Sequence, residues 1–530
     1  MSGASEGAGA GPPAAAGGPT TTGWAAPAEP DPRRWWALVV IAIAQLMVVL
    51  DATIVNIALP SAQRDLGMSD ANRQWVITAY TLAFGGLLLL GGRIADLVGR
   101  KKTFMVGLVG FAVASGLGGA AGGSGLLFGA RALQGAFAAL LAPSALSLLT
   151  TTFTVGRERS KAFGIYGAIA GGGAAIGLIA GGLLTEYLNW RWCLYVNVPV
   201  AMVAFAAAAA VLRSKAVPER AHLDIPGVLL GCSGLVALVY GCSEARPRGW
   251  GDGLVVGMLV GGALLLGAFA WWQTRAPHPL LPPHVVRDRN RGGAFLTMAL
   301  AVIAMFGMFL FLTYYLQTVL GYSPLKAGLA FLPMVAAIVI GSTQISARLL
   351  HLVPPRFLMV PGALLASAGL FTLTFLTAES AYVAHVLPAE LLVGLGMGLT
   401  FMPVMATATT GVAPQDAGVT SATVNTAQQV GGSIGTALLN TIATSTGATY
   451  LAGRLADAAR HSGGHPIPPA VREGLVRAGV VHGFTAAIGV GSVIMLGAAL
   501  AAGLIVNGPA PRHNQVPAAG SADSAESAVR

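Results

Sequence analysis

Charged residues are scarce in this chain. They occupy 10% of its 530 positions, against 55% hydrophobic residues and a mean hydropathy of +0.70. A soluble domain carries about 25% charge, so this composition excludes a water-soluble globular fold and places the chain in a bilayer. Cysteine is nearly absent. Cys193, Cys232 and Cys242 lie in or beside apolar runs, form no CxxC or Cys/His cluster, and read as buried small residues. The histidines are scattered without ligand spacing, so no metal site is expected. No Walker-type phosphate loop occurs. No basic stretch precedes an apolar core and cleavage site at the start, so no signal peptide is expected.

Long continuous apolar runs are abundant. Only helices and closed barrels satisfy their backbone in lipid, and continuous rather than alternating runs select helices. About fourteen candidate spans of ~20 residues follow: 35–59, 75–95, 103–122, 126–150, 160–185, 192–212, 224–244, 253–273, 294–320, 324–347, 357–378, 383–411, 418–446 and 480–506. Residues 1–32 and 507–530 are polar or Gly/Ala/Pro-rich and read as disordered tails. A loop at 448–480 is broken by Gly and Pro. The 72 glycines suit close helix packing.

The formal net charge is +10, with Lys and Arg gathered between spans. With the N-terminus inside, basic residues favour inner loops roughly two to one, so both ends are expected in the cytoplasm. That placement makes the charge an orienting signal in a lipid bilayer and gives no reason to expect nucleic acid. A weak repeat relates the two ends of the chain. "GGRIADLVGRKK" after the second span resembles "GSTQISARLLHLVPPR" after the tenth. The expected architecture is an all-α polytopic membrane protein. A six-helix bundle at 33–213 and a second at 276–506 flank two inserted helices at 214–275. Such repeats mark alternating-access transporters.

Two features break the apolar pattern. In "LDATIVNIALPSA", Asp51 puts a carboxylate inside the first span, and in "RALQG" Arg131 puts a guanidinium inside the fourth. Intramembrane charges are costly and usually face a partner or cavity. At ~1.5 Å per residue they lie roughly 12 and 8 Å from the outer end, so a pair between them is feasible. Glu390, near the outer end of the twelfth span, is a weaker acidic candidate, kept hydrated by its position at the lip. A separate feature is the turn carrying Gly92, Asp96, Gly99, Arg100 and Lys101. Its glycines let helix ends approach. Asp96 can pair with Arg100 and face the positive N-terminus of another helix, holding a closed gate.

These segments resemble the major facilitator superfamily, and within it the fourteen-spanner drug:proton antiporter branch (EmrB/QacA type). The resemblance is carried by "LDATIVNIALPSA", "RQWVITAYTLAFGGLLLLGGRIADLVGRKK", "RALQGAFAALLAPSAL" and "NWRWCLYVNVP", and it spans all but the tails. It implies the major facilitator fold, a part for Arg131 in proton coupling, and no cofactor other than the coupling proton. It also implies that the glycine stripe Gly173, Gly177 and Gly181, joined by Gly182, seals the contact between the two halves, as in exporters. Here Leu178 stands where the family pattern often has proline.

Asn56, Tyr80, Gln134, Phe306, Tyr314, Tyr315, Asn425, Gln428 and Gln429 are cavity candidates. The last three either line a cavity or bond between helices, and Trp75 reads better as an interfacial belt residue. Aromatic rings could stack on cationic compounds. The expected function is proton-coupled efflux of amphipathic or cationic small molecules from the bacterial cytoplasmic membrane, with the protein acting as a monomer. The alternatives are an exporter dedicated to one metabolite or self-made antibiotic, and a non-transporting membrane sensor. An enzyme is not expected.

Overall fold

The computed structural model describes residues 32–68, 75–154, 156–213, 223–461 and 468–508, together with Gly3. Apart from positions 3, 32, 507 and 508, both expected tails lie outside the described residues. Everything regular among the described residues is helical: α1 (Arg34–Asp65), α2 (Trp75–Val98), α3 (Arg100–Gly119), α4 (Ser124–Thr152), α5 (Gly156–Tyr187), α6 (Asn197–Val211) and α7 (Ile225–Arg248). There follow α8 (Gly253–Gln273), α9 (Arg289–Tyr314), the composite span α10 (Leu325–Leu349), α11 (Arg356–Leu373), α12 (Leu387–Thr409), α13 (Ala417–His461) and α14 (Pro469–Ile505).

Among the described residues, 12 helices are long and apolar enough to cross a membrane, so this is an all-α polytopic membrane protein. The two long helices outside that set are α5 and α13, which correspond to the expected spans 160–185 and 418–446. In α13 the apolar face is diluted by Thr420, Ser421, Thr423, Asn425, Thr426, Gln428 and Gln429. In α5 the side chains at 171, 174, 175 and 178 lie outside the described residues.

Glycine sets the closest helix approaches. A Cβ on Gly135 of α4 would collide with the Tyr80 carbonyl of α2, and one on Gly91 of α2 with the Ala139 carbonyl of α4. The two helices therefore lie backbone to backbone, as small residues allow. Further pairs are α1 with α5, α11 with α12, α13 with α14, and α7 with α8. α2 packs on α13, and α5 on α10 and α12. These contacts join the helices before residue 213 to those after residue 276. α7 touches both α2 and α13.

The expected loop at 448–480 is mostly helix. α13 continues to His461 and α14 starts at Pro469. "LADAAR" is rich in good helix formers, Gly453 meets nothing that would force a bend, and Pro469 occupies the first turn, where its missing N–H costs nothing. Hydropathy marked the edge of the apolar stretch, and helix propensity carried both helices beyond it. α1 likewise runs past the expected end at 59, through Pro60, to Asp65.

Candidate functional site

Asp51 of α1 is 0% exposed and Arg131 of α4 is 2% exposed. Arg131 Nη1 donates to Asp51 Oδ2 at 2.6 Å. The other carboxylate oxygen accepts from Gln134 Nε2 at 3.0 Å and from Asn197 Nδ2 at 2.8 Å. Arg131 also donates through Nη1 to Gln134 Oε1 at 2.8 Å and through Nε to the Val76 carbonyl at 3.1 Å. Gln134 Nε2 reaches Ser115 Oγ at 2.7 Å. The guanidinium lies 4.3 Å from the centre of the Tyr80 ring.

Five helices thus contribute to one buried network: α1, α2, α3, α4 and α6. The three side chains that hydrogen-bond Asp51 all donate to it, which is the partner set a carboxylate takes. A buried pair of this kind holds only with such added hydrogen bonds, because desolvation of each ion costs several kcal/mol. A small apolar pocket lined by Val55, Leu59, Leu127, Trp190 and Leu194 opens against Arg131.

Glu390 is not hydrated at a lip. It is 0% exposed. The segment Tyr382–Val386, a single π turn before α12, folds over it. Tyr382 Oη lies 3.0 Å from Glu390 Oε2 and 2.6 Å from the Ala330 carbonyl oxygen. Glu390 Oε1 has no hydrogen-bond partner. The sequence located the residue near a helix end correctly but could not show that the preceding turn caps it.

The turn expected to act as a gate is assembled between α2 and α13. Gly418 and Val419, at the start of α13, donate their backbone N–H groups to Asp96 Oδ1 and Oδ2 at 2.9 and 3.1 Å. Arg100 Nη2 stands 3.4 Å from Asp96 Oδ1. The carboxylate therefore satisfies orphan donors of a helix N-terminus and meets its positive dipole end. Gly92 leaves room for this, since a Cβ there would meet the Ala422 methyl and, at 2.6 Å, the Gly418 carbonyl. Gly99 turns the chain at φ 106°, a conformation side chains disfavour. Lys101 Nζ donates to the Ala209 and Leu212 carbonyls at 2.9 and 2.5 Å, capping the C-terminus of α6. At the same end Arg159 Nη2 of α5 donates to Thr409 Oγ1 of α12 at 2.9 Å.

The glycine stripe has a different neighbour from the one expected. A Cβ on Gly173, Gly177 or Gly181 would meet Val49, Thr53 or Ile54, all on α1. The face of α5 turned to α10 and α12 carries Gly164, Gly167 and Gly172 instead, which approach Ser342, Met402 and Val335. Gly182 meets nothing within 4 Å and is not part of a close contact. The stripe was visible as a period of four, but a period does not name the helix it faces.

The cavity candidates scatter. Tyr80 and Gln134 belong to the Asp51 network. Phe306 and Tyr314 are 46% and 48% exposed, and Tyr314 meets Phe484 edge-on. Tyr315 is buried, with its hydroxyl donating to the Thr377 carbonyl at 2.8 Å. Asn425 returns its amide to the Ser421 carbonyl of its own helix at 2.8 Å. Gln428 reaches the Met298 sulfur of α9 at 3.6 Å, and Gln429 lies against Gly85 of α2. The Asn56 side chain lies outside the described residues. Sequence reasoning missed Asn197, Ser115 and Tyr382. Asn197 stands in the quoted segment "NWRWCLYVNVP", and its position at the first turn of a span was the available signal.

A family profile described as Major Facilitator Superfamily matches residues 41–436. The chain is 56% identical over 480 residues to the puromycin resistance protein pur8 of Streptomyces alboniger, covering 90% of this chain and 92% of that protein. It is 41% identical over 409 residues to the cephamycin export protein CmcT of Amycolatopsis lactamdurans, covering 77% and 84%. Its fold resembles the human organic anion transporter MFSD10 (TETRAN) with a TM-score of 0.59 at 13% identity, over 89% of this chain and 100% of that one.

Proposed function

The chain belongs to the Major Facilitator Superfamily, and we propose that it exports amphipathic or cationic small molecules in exchange for protons by alternating access. It is a secondary active transporter rather than an enzyme, carried in a bacterial membrane. The observation that carries the proposal is the buried Asp51–Arg131 pair at 2.6 Å, an ionisable group in a span with a hydrogen-bonded partner on another helix. Protonation of Asp51 removes the charge that Arg131, Gln134 and Asn197 hold. It frees a guanidinium and two amides, and that is a discrete second state for the network. A proton entering from outside releases the substrate there. Loss of the proton inside restores the pair. The membrane potential adds ~2.3 kcal/mol per charge per 100 mV.

The proposed arrangement has fourteen spans, with α5 and α13 added to the twelve. The bundles lie at 33–213 and 276–506, α7 and α8 form an insert at 214–275, and both termini face the cytoplasm. The Asp96 end is then the inner gate, closed here by the capped α13 and by the Arg159–Thr409 bond. Membership of the fourteen-spanner antiporter branch is the reading we favour, supported by the two long helices α5 and α13 beside the twelve.

A second reading is favoured by the names of the relatives. Puromycin resistance and cephamycin export each name one antibiotic, which supports a carrier dedicated to a single compound of this kind. Proteoliposomes loaded with labelled puromycin and given a proton gradient test both readings. Puromycin movement that stops when a protonophore is added is the expected result. Puromycin binding without movement would indicate a sensor, and movement indifferent to the gradient would end the coupling claim. A panel of chemically unrelated cations in the same vesicles separates a multidrug carrier from a dedicated one.

A further inference from the structure

We propose that Glu390 is a second proton site, in the other half of the chain from Asp51, and that its proton controls which partner Tyr382 holds. The argument is an inventory of hydrogens. Tyr382 Oη is within bonding distance of two oxygens, the Ala330 carbonyl at 2.6 Å and Glu390 Oε2 at 3.0 Å. A phenol carries one hydrogen, and a carbonyl has none to give. The shorter contact therefore takes the phenolic hydrogen. The contact to Glu390 then needs a hydrogen from the carboxyl group, so Glu390 is the acid and donates through Oε2 to Tyr382 Oη.

Two further observations agree. Glu390 Oε1 is buried without a partner, tolerable for the C=O of an acid and far costlier for a carboxylate oxygen. No cation compensates it among the described residues. Tyr382 is the titratable group that touches it. Behind Tyr382 stands Tyr322, its ring centre 6.3 Å away, with Lys326 Nζ 3.9 Å from that ring. Glu379 and His385 are exposed. The helices packed on α12, namely α5, α9, α10, α11 and α13, place no ion-pairing group on Glu390 among the described residues. The contrast with Asp51, surrounded by three donors, is chemical: one site is built to hold a carboxylate and the other to hold an acid.

The exchange balances simply. Glu390 Oε2–H gives its proton to water, reached past the exposed residues 383–385. The Tyr382 O–H then turns from the Ala330 carbonyl to the new carboxylate, and that carbonyl loses its donor. Ala330 ends the short helix Pro324–Ala330, which packs on α5. The proton on Glu390 thereby bears on a contact between helices from opposite ends of the chain. The transport consequence rests on the proton-coupled reading above; the protonation state does not.

Infrared spectroscopy of the purified full-length protein in detergent tests it without substrate. At neutral pH the wild type is expected to show the carbonyl stretch of a protonated carboxyl, and to lose it on alkalinisation. Glu390→Gln, whose amide N–H replaces the acid O–H as donor, is expected to fold and to lack that band. Tyr382→Phe is expected to keep the band at a shifted frequency. A wild-type band in Glu390→Gln, or an unmoved band in Tyr382→Phe, overturns the proposal. Should Glu390→Gln fail to fold, the Tyr382→Phe shift decides alone. Because neither arm needs transport, failure of proton-coupled export and failure of this site are separate results.

Discussion

Asp51 and Arg131 stand 80 residues apart in the chain and 2.6 Å apart in space, both closed off from solvent. Removing one partner of a buried pair costs about 3–5 kcal/mol, whereas replacing both with apolar groups can be neutral. Asp51→Asn is therefore expected to abolish proton-driven export and to lower the melting temperature in detergent. Asp51→Asn combined with Arg131→Met is expected to recover the melting temperature and not the transport. Normal drug-driven proton release by Asp51→Asn would remove this residue from the coupling role.

Asp96 caps the first turn of α13 with both oxygens. Loss of a cap costs about 0.5–2 kcal/mol. Asp96→Ala is expected to weaken closure at that end and slow turnover. Asp96→Asn, which still accepts hydrogen bonds but lacks the charge, should fall between it and the wild type. Labelling of a cysteine placed at Ala422 reports the opening directly, and equal labelling in all three proteins would count against a gating part for Asp96.

Thr53 Oγ1 occupies the space where a Cβ on Gly177 would lie. Gly177→Ala is expected to destabilise the α1–α5 contact by about 1–3 kcal/mol, the usual range for overpacking. Adding Thr53→Ala should restore most of it. Additive losses in the double variant would show that the glycine serves something other than this approach.

Asp224 lies just before α7, outside the spans. Burial would raise its carboxyl, but donors from Trp272, Gln273 and the backbone of Gly227 and Leu280 outweigh it and hold it below the usual carboxylate range. A group lowered in the folded state adds stability above its unfolded value, about 3.9, and loses it as pH falls through the folded value. The α7–α8 junction is therefore expected to loosen only below about pH 4. Asp224→Asn should flatten that acid limb of the melting curve, and an unchanged limb would assign it to other carboxylates.

The sequence made some of this legible and hid the rest for physical reasons. A charge inside an apolar run is rare, so Asp51 and Arg131 stood out and their similar depths suggested a pair. The order of residues in the Asp96 turn carried enough information to expect a helix N-terminus opposite it, although not which one. Asn197 and Ser115 did not stand out, because small polar residues in spans are as often bonded to their own backbone, as Asn425 is. Glu390 was misread because depth along a helix says nothing about what folds across its end. The neighbours of the glycine stripe were invisible for a similar reason: periodicity defines a face, and only packing supplies its partner.

α13 is 45 residues long. At ~1.5 Å per residue it extends about 67 Å, more than twice the ~30 Å hydrocarbon thickness. Asp96 grips its first turn, and α14 lies along its far portion, with Gly447 and Ala443 against Gly479 and Gly483. A rod this long works as a lever when it tilts together with the helices packed along it. A tilt of about 5° about the Asp96 end would move the distal tip by about 6 Å, about the length of a side chain.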